Sequence, residues 1–180
     1  MELPINQLHE VEKRWFAVHT RSKSEKFVQR MLEKKAIHAW VPLQQFMRQY
    51  ARVKRLVEKP LINGYVFVKI SKKEYLSVLE TENVAGFVRF SKDLVAIPEA
   101  EMDILKRIVM EVGLEVKAVP SVFNEGDEVE INAGGLAGLR GKVMKKDGKH
   151  TLQVELNHLG YQLMITIDPV FLEKTHRNLE

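Results

Sequence analysis

Few side chains in this sequence are placed to do covalent or acid–base chemistry. Six histidines stand at positions 9, 19, 38, 150, 158 and 176. None follows the His-Glu-x-x-His pattern that puts two ligands on one face of a helix. His150 and His158 flank an expected strand and read as surface residues. No Gly-x-Ser-x-Gly elbow presents a nucleophilic serine. The stretch from Gly135 to Lys142 resembles a phosphate loop, but five residues separate Gly135 from Gly141 where a Walker A loop needs four. Val143 stands where that loop needs a hydroxyl for magnesium. Glu125, Asp127, Glu128 and Glu130 fall on an alternating segment and read as solvent-facing carboxylates. The chain has no cysteine, so disulfides and thiolate metal sites are excluded. The expectation is a protein with no catalytic residue, no metal and no cofactor.

Charge is the feature that remains. From Lys13 to Lys59 there are 13 Lys and Arg against three Asp and Glu, a local +10; with a net charge of +4, the rest of the chain carries −6. Such an asymmetry directs one part of a molecule at a polyanion. Arg21, Lys23, Lys26, Arg48, Arg52, Lys54 and Arg55 are the candidate phosphate contacts. The start, Met-Glu-Leu-Pro-Ile-Asn, lacks a basic segment followed by an apolar run and does not read as a signal peptide. No apolar run approaches the ~18 residues of a membrane span, and the reading is a cytoplasmic monomer.

The elements that must position these residues follow from periodicity. Arg14 to Thr20 reads as a strand. Ser22 with Glu25 is a capping-box pattern, followed by an apolar helical stripe of Phe27, Val28, Met31 and Leu32. Ile37 to Phe46 reads as a strand interrupted by Pro42, and Met47 to Lys59 as a loose hairpin or flexible arm. Leu61 to Ile70 is the strongest strand pattern. A short helix (Ser71 to Glu80), two short strands (Val84 to Phe90, Leu94 to Ile97) and a helix opened by Pro98 follow. That helix carries Met102, Leu105, Ile108, Val109 and Val112 on one face, with Gly113 as its C-cap. This order approximates a split βαβ, ferredoxin-like layer over residues 13–113.

Alternation sorts the side chains of that layer. Tyr65, Phe67 and Lys69 point to one face of the strand; Val66, Val68 and Ile70 point to the other. The aliphatic face suits packing on helices, and the aromatic face then needs a cover or a partner. Gly64 to Ile70 also loosely follows the RNP1 pattern of RNA-recognition domains, although Asn63, Val66 and Ile70 replace its basic, small and last aromatic residues. RNA binding by this face is the alternative reading.

Residues 114–122 have little periodicity and read as a linker. Beyond them, Phe123 to Val143 gives a turn, a strand, a loop with Gly134, Gly135 and Gly138, and a second strand. Further short strands are expected over Thr151 to Asn157, Gln162 to Asp168 and Phe171 to Lys174, with Asp147-Gly148 as a hairpin turn. Residues 123–174 thus read as a small SH3-like barrel. The overall fold class is α+β.

Two resemblances arise from these residues. Phe123 to Val143 resembles the KOW motif. The whole chain from Lys13 to Lys174 is similar to the NusG family of transcription elongation factors. The match rests on Lys13-Arg14-Trp15-Phe16, Pro60 to Val68, Val84 to Phe90, Val95-Ala96-Ile97-Pro98 and the KOW segment. Phe87-Val88-Arg89-Phe90 and the basic segment Arg48 to Arg55 look more like the specialised RfaH-like and UpxY-like antiterminators; a housekeeping member is the alternative. The resemblance implies docking on the clamp helices of RNA polymerase through Tyr65 and Phe67, with Phe16 as a neighbour, and suppression of pausing and termination. It implies contact with non-template DNA through the basic residues above. It also implies a partner for the barrel at the loop of Leu159 and Gly160. The family's partners for the barrel are a ribosomal protein or Rho; members commonly carry Phe-Gly there, so Leu159 weighs against Rho and favours antitermination. The glycine turns and period-two alternation predict a barrel that does not refold into helices. A ribosomal-type RNA-binding protein is the alternative that KOW alone would allow.

Overall fold

The structure, a computed structural model, describes residues 6–51, 53–89, 92–111, 116–120, 128–131, 135–146, 149–156, 158, 160–166 and 172–174. In chain order the elements are β1 (Arg14–Thr20), α1 (Glu25–Lys34), β2 (His38–Trp40), β3 (Leu43–Tyr50), β4 (Val53–Pro60), β5 (Tyr65–Ile70), α2 (Tyr75–Leu79), β6 (Val84–Phe87), α3 (Glu99–Met110), β7 (Val116–Pro120), β8 (Glu128–Ile131), β9 (Arg140–Lys146), β10 (Lys149–Leu156), β11 (Tyr161–Thr166) and β12 (Leu172–Lys174). The chain forms two compact units, residues 1–43 with 62–102 and residues 44–61 with 103–180.

The first unit is a four-stranded sheet in the order β2-β5-β1-β6, with α1 after its first strand in sequence and α2 after its third. This is the strand order of the ferredoxin-like split βαβ layer expected above. Register puts Phe16 opposite Val68 and Val18 opposite Val66 on the β1–β5 pair. Ala39 on β2 faces Val68. These side chains, with Ile70 and Phe87, pack against Val28 and Leu32 of α1 and Val78 of α2 to form the core. Phe16, Leu32 and Ile70 have no exposed surface, and a fully buried aliphatic or aromatic side chain contributes about 1.5–3 kcal/mol.

The start of α1 differs from the capping-box expectation. The helix begins at Glu25 after an N-cap Ser24 whose hydroxyl makes no cap bond. Instead the buried Glu25 carboxylate accepts the N–H of Gly64 at 2.7 Å. Gly64 has φ +78, a left-handed conformation that favours glycine. Its carbonyl accepts the N–H of Thr20 at 2.8 Å. A reciprocal cap is found at the 3-10 turn Lys72–Glu74 that leads into α2, where the Glu74 carboxylate accepts the Ser71 N–H at 2.9 Å. Burial disfavours the Glu74 charge, but its bonds to Lys13 and Ser71 outweigh that and hold it below the usual carboxylate range.

Two further expectations change. The strand expected over Ile37 to Phe46 divides into β2 and β3. Pro42, which lacks an N–H for a ladder, falls at the break. The segment Met47 to Lys59, expected as a loose hairpin or a flexible arm, is a hairpin, most of the two-stranded ribbon of β3 and β4. The strong strand pattern accordingly starts at Tyr65, with Leu61 to Gly64 forming the turn before it.

In the second unit all paired strands of the larger sheet are antiparallel, in the order β12-β8-β9-β10-β11-β7. Residues 116–120, read as linker from the sequence, form β7 and pair with β11. Pro120 is tolerated because β7 is terminal in the sheet. Leu152, Val154 and Leu156 of β10 and Leu163 and Ile165 of β11 are buried. The described part of the glycine loop is a turn: Gly138, at φ +81, donates its N–H to the Ile131 carbonyl at 2.7 Å. Leu136 and Leu139 are buried beside it. The Arg107 guanidinium donates to the Gly135 and Ala137 carbonyls of this turn. Gly141 has a different reason: a Cβ there would lie 2.2 Å from the Gln153 carbonyl oxygen. The segments 121–127, 132–134 and 167–171, and with them the expected turns at Glu125-Gly126 and Asp147-Gly148, lie outside the described residues, as do Val112 and the C-cap Gly113. All described elements from residue 116 onward are strands, as the glycine and alternation pattern predicts.

Candidate functional site

The face of the four-stranded sheet opposite the core is aromatic. Antiparallel register aligns His38, Lys69 and Trp15 in one row, Trp40, Phe67 and Ala17 in the next, and Tyr65 with His19 in a third. The rings touch across strands. Trp15 and His38 meet edge to face at 4.9 Å between centroids, as do His19 and Tyr65 at 4.7 Å, while Trp40 and Phe67 lie tilted at 5.9 Å. Such pairs stabilise a sheet beyond the area they bury. The Lys69 ammonium lies 5.7 Å from the Trp15 ring centroid and 3.3 Å from the Glu99 carboxylate. That ion pair ties the first turn of α3 to this face.

Burial revises the expected docking set. Phe67 is 0% exposed and Tyr65 8%. Phe16 is not their neighbour: it stands on the opposite face, edge to face with Phe87 in the core. The one-residue offset between Phe16 and Ala17, which faces Phe67, puts them on opposite sides of the pleat. The accessible members of the aromatic face are His19 and His38, which are exposed, and Trp40, which is half-buried. Sequence reasoning missed His38 and Trp40 because Pro42 obscured where their strand ended.

The cations fall into two groups. Arg21, Lys23 and Lys26 are exposed around the start of α1, and Lys23 takes φ +58 in the turn. Arg30, one helical turn beyond Lys26, extends this group and was not anticipated. Arg48, Lys54 and Arg55 are exposed on the β3–β4 ribbon, whereas Arg52 lies outside the described residues. The ribbon also exposes Met47, Tyr50, Val53 and Leu56. At the barrel loop, Gly160 makes a left-handed turn at φ +65 between β10 and β11; Leu159 lies outside the described residues.

Among the described residues no group of three or more His, Asp or Glu is arranged to hold a metal ion. Among them, too, no helix is long and apolar enough to cross a membrane. The architecture is that of a two-module protein, a ferredoxin-like layer with an aromatic face followed by a small antiparallel β unit, with exposed cations around the start of α1 and on the β3–β4 ribbon.

A family model described as transcription termination factor nusG matches residues 13–106, more than half of the sequence, and the chain belongs to the NusG family. It is a transcription termination/antitermination factor of that family. A Staphylococcus epidermidis protein named transcription termination/antitermination protein NusG is 29% identical over 180 residues, covering 90% of this chain and 96% of the relative. A Staphylococcus aureus protein of the same name is 28% identical over 179 residues, with the same coverage. A solved structure, "Domain interaction in Thermotoga maritima NusG", is similar with a TM-score of 0.56 at 24% identity, covering 93% of this chain and 99% of that one. It supports the fold.

Proposed function

We propose that this protein is an antitermination factor that docks on the clamp helices of RNA polymerase through the aromatic sheet face. The observation that carries the reading is the set of cross-strand rings on the face turned away from α1 and α2. Contact is made by Trp40, His19, His38 and the exposed edge of Tyr65, while buried Phe67 holds Trp40 in place. Bridging the two sides of the nucleic-acid channel favours a closed clamp. A preference of ~1.4 kcal/mol for that state shifts the open-to-closed ratio about tenfold, which is enough to suppress pausing. Arg21, Lys23 and Lys26 and the ribbon cations Arg48, Lys54 and Arg55 contact exposed non-template DNA, a salt-dependent interaction. The barrel recruits a second partner, a ribosomal protein in preference to Rho, through the Leu159–Gly160 loop. The four-stranded sheet with α1 and α2 is the polymerase-binding module, and the six-stranded sheet from β7 to β12 the recruiting one. No step in this mechanism requires catalysis.

The test is co-purification with core RNA polymerase together with a paused-elongation assay. Trp40→Ala with Tyr65→Ala is expected to weaken polymerase binding at least tenfold and to abolish the effect on pausing, with folding verified by circular dichroism. Undiminished binding by the folded double variant overturns the reading. Tight binding of free RNA that the same double variant abolishes would instead favour RNA recognition.

A further inference from the structure

The ribbon carries apolar side chains that do no folding work. Tyr50 is 45% exposed and Met47 61%, on a two-stranded sheet whose own residues bury little. Between Leu43 and Pro60 the sequence has five Lys and Arg against one carboxylate, Glu58. A cationic ribbon that leaves an aromatic ring in solvent is matched in charge to a polyanion with flat faces.

The arrangement of the ring is specific. β3 ends at Tyr50 and β4 begins at Val53, so a two-residue connection sets these residues opposite each other. The Gln45 Nε2 to Glu58 Oε1 contact at 3.5 Å fits that register. Alternation then puts Arg48, Tyr50 and Arg55 on one face of the ribbon. The Arg48 guanidinium lies over the Tyr50 ring, 5.6 Å from its centroid. That is cation–π distance, and it is too close to admit a base between them. The guanidinium occupies one side of the ring and leaves the other for a ligand.

We propose that Tyr50 is a stacking platform for one unpaired base of a single-stranded nucleic acid, with Arg48 and Arg55, the cross-strand pair next to it on the same face, holding the adjoining phosphates. The inference rests on the nucleic-acid reading of the ribbon given above and adds to it a base contact, which phosphate binding does not require. A paired base has both faces covered by its neighbours, so Tyr50 selects single strands over duplex. The contact reads the flat face of a base and so tolerates any sequence. DNA and RNA offer the same chemistry, and the measurement separates them.

The experiment is fluorescence anisotropy of the full-length chain with a short labelled single strand of DNA, the same sequence in RNA, its duplex, and an abasic strand of equal length. The wild type is expected to favour single strand over duplex, and the sugar bound more tightly identifies the source. Tyr50→Ala is expected to weaken single-strand binding by about 5- to 100-fold while leaving abasic-strand binding unchanged, and Tyr50→Phe to retain it. Arg48→Gln with Arg55→Gln is expected to weaken both strands. If the arginine pair matters and Tyr50→Ala does not, stacking is overturned and phosphate binding stands. If neither matters, stacking and the nucleic-acid reading of the ribbon fall together. If Tyr50→Ala instead costs only polymerase binding, the ring is a protein contact and stacking is overturned.

Discussion

The four-stranded sheet and the β3–β4 ribbon are built from the same kinds of residue and use them oppositely. In the sheet, Phe16, Val66, Phe67 and Val68 have no exposed surface. In the ribbon, Met47 and Leu56 are more than half exposed. Phe16, Val66 and Val68 are committed to holding the layer on α1 and α2, and Phe67 is buried on the other face, so substituting any of them tests stability first. The ribbon's groups are free of that duty, so substituting them tests binding first. A surface aromatic in the second region therefore carries more functional information than a buried one in the first.

The contrast can be broken by measurement. The largest effect is expected for Phe16→Ala, which removes a fully buried ring from the core and should lower unfolding free energy by about 3–5 kcal/mol in urea titration. A loss below about 1 kcal/mol would place Phe16 outside the core. Glu25→Gln comes next. It retains a neutral acceptor for the Gly64 N–H but loses the charged bond at 2.7 Å, and about 1–2 kcal/mol should be lost. Smallest is Leu56→Ala on the ribbon, expected to stay within about 0.5 kcal/mol of the wild type. A ribbon variant as damaging as Phe16→Ala would show that the two regions share one core and would dissolve the distinction.

How much could be read in advance depends on how local the cause is. The two faces of β5 were legible because Val66, Val68 and Ile70 alternate strictly with Tyr65, Phe67 and Lys69, and a pleat translates that pattern into sides. The ribbon was harder. Its residues are neither apolar nor alternating enough to declare a strand, since packing is confined to the start of β3, where Gln44 is buried, and most side chains from Met47 onward are exposed. The capping of α1 failed as a local inference because the competing partner of Glu25 is Gly64, 39 residues away. β7 was masked by Pro120, a residue that a terminal strand accepts. Alternation puts Tyr65 and Phe67 together on the aromatic face, yet their burial depends on tertiary packing that no spacing records. Phe16 was misassigned although the alternation of β1 already put it on the side of Val18.

The position of the ribbon in the chain bears on how the sheet assembles. Trp40 pairs with Phe67 across β2 and β5, and most of the residues between them belong to β3 and β4. A hairpin zips within about 1–10 μs from local contacts alone. Once closed, it leaves only residues 41–42 and 61–64 to be ordered before β2 can meet β5. The search for a distant partner becomes a nearly local step, with the loop-closure entropy of a long excursion largely removed. A segment that adds little to the core thus shortens the kinetic path to it. Inserted residues at the tip should lengthen the ribbon without delaying the sheet, whereas residues added at 41–42 or 61–64 would slow its closure.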